Sequence, residues 1–146
     1  MLKEIAVETY LAGGKGCAAG LLAGANAYYG LGLDDAALDL FVGFRGGMGC
    51  GAVCGSLVGA IGVLNHLYAG KPELKEHTAA FVAAFREALD CGSLDCAVIE
   101  KRYKTPETKC SAAVALTAEL LEQYLKQIKI TAWAVWEEKL HLVQYL

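Results

Sequence analysis

Two long stretches of this chain carry no charge at all. Asp, Glu, Lys and Arg are absent from Gly16 to Leu33 and from Gly46 to Gly70, runs of 18 and 25 residues. Of the 29 charged residues, 21 fall in 71–146. A charge-free run that is long enough belongs either in a protein core or in a membrane, and length alone does not separate the two. The second run is thick with glycine and holds Cys50, Cys54, Ser56, Asn65 and His66. Those residues fit a buried segment of a soluble protein better than a lipid-facing span. The chain is therefore expected to be soluble, with its first half supplying much of the core.

At 146 residues the chain fits one domain, large enough to bury roughly 70% of the surface its unfolded form exposes. A hydrophobic fraction of 55%, two prolines and a net charge of -3 exclude a disordered segment. The same charge argues against a nucleic-acid partner, which calls for a basic face. Six cysteines fall below the density of about 8–10% that marks small disulfide scaffolds. The start of the chain, Met1-Leu2-Lys3-Glu4-Ile5, lacks the apolar stretch of a secretory signal. The expected compartment is a reducing cytoplasm, where several cysteines mean metal binding or thiol chemistry more often than staples.

The periodicity is helical almost throughout, so the predicted fold is all-α, a compact multi-helix bundle with a glycine-rich central helix. Lys3 to Ala12 reads as a first helix, interrupted at Gly13-Gly14, and a second runs from about Lys15 to Tyr29 before Gly30. Asp34 or Asp35 caps a short third helix that stops at Gly43. The segment Gly43-Phe44-Arg45-Gly46-Gly47-Met48-Gly49 then reads as a loop into a fourth helix ending near Ala69-Gly70. Gly47, Gly51, Gly55 and Gly59 are spaced four apart, which on a helix aligns them into a smooth stripe for close approach of another backbone.

Pro72 opens a fifth helix with Phe81, Ala84, Phe85, Ala88 and Leu89 on one face, ended by Gly92, and Ser93 or Asp95 caps a sixth. Thr105-Pro106-Glu107 has the form of a helix start, and Val114, Ala118, Leu121, Leu125 and Ile128 follow at helical spacing. Trp133, Trp136, Leu140 and Val143 continue a stripe over 130–146. That last segment is predicted to serve either the core or a dimer or partner contact, and a homodimer is expected.

Chemistry, in such a chain, falls to cysteine. Cys17, Cys54, Cys96 and Cys110 all lie near predicted helix N-termini, whose partial positive charge lowers thiol pKa and suits a reactive thiolate or a thiolate-bound cluster. Cys91 precedes Gly92 at a helix C-terminus and reads as a structural thiol. Cys50 stands four residues before Cys54, so a helix through both would place them on one face, with room for a shared metal; the alternative is that Cys50 belongs to the preceding loop. The sequence contains no CxxC and no CxxCH, so any ligands must converge from distant parts of the chain and covalent haem is not expected. Inert buried thiols are the plain alternative.

The order Cys17-Ala18-Ala19, Gly43-Phe44-Arg45-Gly46-Gly47-Met48-Gly49, Cys54-Gly55-Ser56-Leu57-Val58-Gly59-Ala60, Gly92-Ser93-Leu94-Asp95-Cys96 and Cys110 resembles the C_GCAxxG_C_C family of redox-active proteins, over about residues 5 to 125. The resemblance carries the four family cysteines onto Cys17, Cys54, Cys96 and Cys110, with Gly55 and Gly59 as motif glycines. That family is similar to part of the split-Soret cytochromes c, which implies an iron–sulfur cluster on these cysteines; the haem part has no counterpart here. Ser56 replaces the motif alanine, and Cys50 and Cys91 are additional.

Other polar residues are weaker candidates. His66, His77 and His141 lie far apart and read as surface or satisfied interior histidines. Arg45, the one charge between Asp39 and Lys71, is placed to pair with Asp39 or to offset an anionic cluster. The glycines at 43–51 have no following GKS or GKT, which argues against a nucleotide loop. The expected function is electron transfer through a cysteine-ligated iron–sulfur or other soft-metal site. The alternatives are a metal-free thiol–disulfide protein and a helical binding module with inert thiols. The expected partners are a redox protein and, through the charge-free helices, a membrane transporter or complex.

Overall fold

The computed structural model describes residues 1–131. Seven α-helices follow in order: α1 (Leu2–Gly13), α2 (Gly16–Tyr29), α3 (Asp35–Asp39), α4 (Gly55–Tyr68), α5 (Leu74–Ala88), α6 (Cys96–Tyr103) and α7 (Ser111–Gln127). Among the described residues there is no β-strand beyond two isolated bridges, Val53 with Asp95 and Thr105 with Lys109. No described helix is long and apolar enough to cross a membrane. The tryptophan segment expected to form a core or dimer contact lies outside the described residues.

The charge-free stretch Gly16 to Leu33 becomes α2, which packs against α1, α4 and α7. It is buried on several faces, from Ala18 through Leu22 to Tyr29, and so shows little contrast between one side and another. Glycine sets how close its neighbours come. A Cβ at Gly20 would lie 2.7 Å from the Tyr10 Cα, and one at Gly24 2.7 Å from the Ala6 Cα, so α1 sits backbone to backbone on α2. On the other side, a Cβ at Gly59 of α4 would lie 2.6 Å from the Ala18 carbonyl oxygen. The Thr9 hydroxyl crosses the first seam, donating to the Gly20 carbonyl at 2.7 Å. Buried Leu121 and Leu125 of α7 and Phe81 and Phe85 of α5 complete the core.

Several polar groups inside this core are paired. Glu122 accepts from the Leu2 backbone N–H at 3.2 Å and from the Tyr28 hydroxyl at 2.7 Å, which ties the start of the chain to α7. His77 meets the Tyr124 hydroxyl at 2.8 Å, as a satisfied histidine should, and His66 is exposed. Asn26 holds the loop after α2 by bonding both backbone groups of Leu33.

Three local expectations change. The predicted four-glycine stripe is only half helical. Gly47–Gly51 forms a distorted turn in which Gly47, Met48, Gly49 and Gly51 all have positive φ, and α4 begins at Gly55. Consequently Cys50 and Cys54 do not share a helix face. The Thr105-Pro106-Glu107 segment does not start a helix either. Thr105 and Lys109 exchange backbone hydrogen bonds at 3.0 and 2.8 Å and close a tight loop, and α7 starts five residues later than predicted, at Ser111. Finally, Asp39 pairs with Lys15 at 2.6 Å, while Arg45 donates to the Gly14 carbonyl at 2.9 Å.

These close approaches separate two glycine substitutions that look alike in sequence. Gly59→Ala drives a methyl into the α2 backbone, and urea denaturation should show a loss of roughly 1–3 kcal/mol. Gly13→Ala meets nothing within 4 Å; it should leave stability unchanged or raise it by a few tenths of a kcal/mol through helix propensity.

Candidate redox site

Cys17, Cys54, Cys96 and Cys110 come together where four helices begin. Cys17 is the second residue of α2, Cys54 caps α4, Cys96 opens α6 and Cys110 caps α7. Each is brought in by a different local device. Cys17 is fixed by α2 itself, and a Cβ on Gly55 would lie 3.1 Å from its own Cβ, so the start of α4 lies directly beside it. Cys54 and Cys96 are placed side by side by a short antiparallel pairing. The Cys54 N–H donates to the Leu94 carbonyl at 2.8 Å, and the Cys96 N–H donates to the Ala52 carbonyl at 2.6 Å. A Cβ on Gly47 would come within 2.7 Å of the Cys96 Cβ, so the left-handed glycine turn leaves room for that side chain. Cys110 sits at the exit of the Thr105–Lys109 loop, whose last residue takes φ 53.

Tyr10 joins two of the thiols. Its hydroxyl accepts from the Cys110 backbone N–H at 3.1 Å and acts as a donor toward the Cys17 sulfur. Burial pushes the Tyr10 phenol up to about 12, so it remains a proton donor at neutral pH. No motif or spacing in the sequence marks Tyr10 directly. Its only trace in the sequence is indirect: Gly20 lets α1 approach α2 closely enough to deliver the hydroxyl.

The electrostatics divide the four cysteines. Cys17 donates its thiol proton toward the Cys110 sulfur. That hydrogen bond, with burial and the charges of Cys110 and Cys54 acting in the same direction, raises Cys17 well above the ordinary thiol range. The same bond lowers Cys110 to about 7, and nearby Lys104 assists against partial burial. Burial raises Cys54, against opposing backbone N–H groups of Leu57 and Ser56 at the start of α4. Burial also raises Cys96, reinforced by the charges of Cys54, Glu100 and Cys110. The expectation that a helix N-terminus lowers every one of these thiols thus fails at three of four, because the hydrogen bond to Cys110 at Cys17, and burial at Cys54 and Cys96, outweigh a partial dipole charge.

Cys17, Cys96 and Cys110 line a cleft of about 340 Å³, together with Tyr10, Gly16 and Arg45. Cys54 is not among its lining residues; it is only 4% exposed. The Ser56 hydroxyl, close to Cys54 at the start of the same helix, is fully buried and has no hydrogen-bond partner among the described residues. Cys50 is exposed in the glycine turn, its thiol donating to the Gly47 carbonyl at 3.4 Å, and does not line the cleft. Cys91 lies beyond the end of α5, packed against the core as a structural thiol should be. All six cysteines are free thiols. Among the described residues, no three His, Cys, Asp or Glu side chains are gathered closely enough to hold a metal ion.

Because the thiolate is the attacking species, alkylation of Cys110 by iodoacetamide should rise with a midpoint at about pH 7. Removing the donor in Cys17→Ala should shift that midpoint upward, toward the ordinary thiol value of about 8.5. Peptide mass spectrometry at Cys110 reads both profiles.

No match was found among curated proteins or among solved structures. A family model does match, over residues 16–124, and its range holds all four cysteines of the site. By that match the chain belongs to the family described as "Putative redox-active protein (C_GCAxxG_C_C)".

Proposed function

We propose that Cys17 and Cys110 form a two-electron thiol–disulfide couple at the centre of this redox protein. What carries the reading is the pairing of the Cys17 and Cys110 side chains at the cleft, which raises the first thiol and lowers the second to about 7. That is the arrangement thiol–disulfide exchange needs, since a thiolate whose pKa lies near the ambient pH attacks best. Oxidation joins the two sulfurs and releases two electrons to an acceptor, with loss of the shared proton. Tyr10 orients the pair from the side of α1, and α2 and α7 fix its two ends. Free thiols of this kind fit a reducing compartment such as the cytoplasm, with a redox protein or a small disulfide as partner.

A second reading is favoured by a separate observation, the convergence of all four family cysteines, where a dithiol needs two. Cys17, Cys54, Cys96 and Cys110 are soft donors of the kind that hold iron–sulfur clusters. The thiols do not close around a single ion, so a mononuclear zinc or copper site fits poorly. A cluster held by these four residues would supply one-electron transfer.

The two readings part on one preparation. In protein purified without oxygen and then mildly oxidised, peptide mapping should find Cys17 linked to Cys110 in a bond that dithiothreitol reopens. Cys54→Ser should keep that disulfide. Iron and acid-labile sulfide in the wild type, both lost in Cys54→Ser, would overturn the dithiol reading and establish the cluster.

A further inference from the structure

We infer that the cleft over Cys17 and Cys110 is a binding site for a small disulfide that carries carboxylates. The inference rests on the dithiol reading for its chemistry and on the charge of the cleft for its specificity. Three cations line the cleft, Arg45, Lys104 and Lys109, against one anion, Glu100. Glu100 is engaged with Lys104 at 3.6 Å one helical turn away. Arg45 and Lys109 have no carboxylate partner among the described residues. The chain as a whole has a net charge of -3, so a cationic cleft is not a by-product of composition.

Arg45 is held over the cleft by its surroundings. One guanidinium nitrogen donates to the Gly14 carbonyl at 2.9 Å, which leaves its remaining N–H groups for a ligand. Gly16, at φ 89, leaves the space its side chain crosses: a Cβ there would lie 2.5 Å from the Arg45 Cγ. Lys109 directly precedes Cys110 and takes the left-handed conformation that ends the Thr105–Lys109 loop. At about 340 Å³ the cleft has the size of a small-molecule site. Two cations lining the cleft of a reactive thiol, Arg45 held by the Gly14 carbonyl and Lys109 exposed beside Cys110, match a ligand with carboxylates on either side of a sulfur–sulfur bond.

The reaction balances within the cleft. The Cys110 thiolate attacks one sulfur of the bound disulfide; that S–S bond breaks, and half the ligand leaves as a thiolate into the cationic rim. Cys17 then attacks the Cys110 sulfur, the mixed disulfide breaks, and the second half leaves as a thiol with the proton that Cys17 held. The ligand gains two electrons and the protein keeps a Cys17–Cys110 disulfide.

The test compares two probes on the fully reduced protein by stopped flow: dithiobis(nitrobenzoate), a dicarboxylate disulfide, and dithiodipyridine, which is uncharged. Mass mapping in Cys17→Ser, where the mixed disulfide is trapped, identifies the reaction at Cys110. Arg45 and Lys109 are exposed, so the double variant Arg45→Gln, Lys109→Gln is expected to fold, and circular dichroism checks that it does. The ratio of the dicarboxylate rate to the uncharged rate should fall about tenfold in the double variant, and added salt should lower the wild-type ratio in the same direction. A ratio that the double variant leaves unchanged, with Cys110 still reacting with the uncharged probe, overturns the anionic site and leaves the dithiol intact. Failure of Cys110 to react with either probe overturns both.

Discussion

The closeness of α1, α2 and α4 governs everything else in this molecule. Helices that pack through ordinary side chains lie about 8–10 Å apart, and Gly20, Gly24 and Gly59 remove the side chains that would keep these three at such a distance. The gain is not in the glycines, which weaken a helix. It lies in the contact between backbones that they permit, and in the reach of short groups across the seams, such as the Thr9 hydroxyl to the Gly20 carbonyl. Tyr10 can touch Cys110 only because α1 lies this close to α2.

The site is a consequence of where that packing places helix starts. Four chain segments enter helices at one end of the bundle, and each entry carries a cysteine. Their surroundings then make the thiols unequal. Burial raises Cys54, burial and like charge raise Cys96, and the pairing of Cys17 with Cys110 raises the first and lowers the second. Of the four, Cys110 alone is lowered, and the main cause is its neighbour Cys17 rather than the helix dipole.

Much of the architecture was legible because it rests on local signals. The left-handed glycines at 14 and 30 end α1 and α2 where the sequence places those ends, and the Asp34 carboxylate accepts from the Ala37 N–H as a cap should. The errors occurred where a local signal met a tertiary demand. Thr105-Pro106-Glu107 has every mark of a helix start, yet its backbone is spent on a closed loop that delivers Cys110. The spacing of Gly47 and Gly51 matches a helix, yet the turn needs left-handed residues to admit Cys96 and Ala97. The family pattern and the helix starts single out the same four cysteines, and the fold brings the starts of their helices to one region. Tyr10 and the cationic rim were not legible, because each depends on residues about a hundred and several tens of positions apart meeting in space, and no spacing rule encodes that.

Tyr10, Cys17 and Cys110 also impose an order on the making of this protein. Cys17 leaves the ribosome early, and its partner arrives only after most of the described chain has been synthesised. Until α7 docks, the first thiol has its tyrosine from α1 but not the Cys110 sulfur that takes up its proton. The pair therefore comes into being only when α7 docks, so the nascent chain is spared a lowered Cys110 thiol while its apolar segments are still exposed.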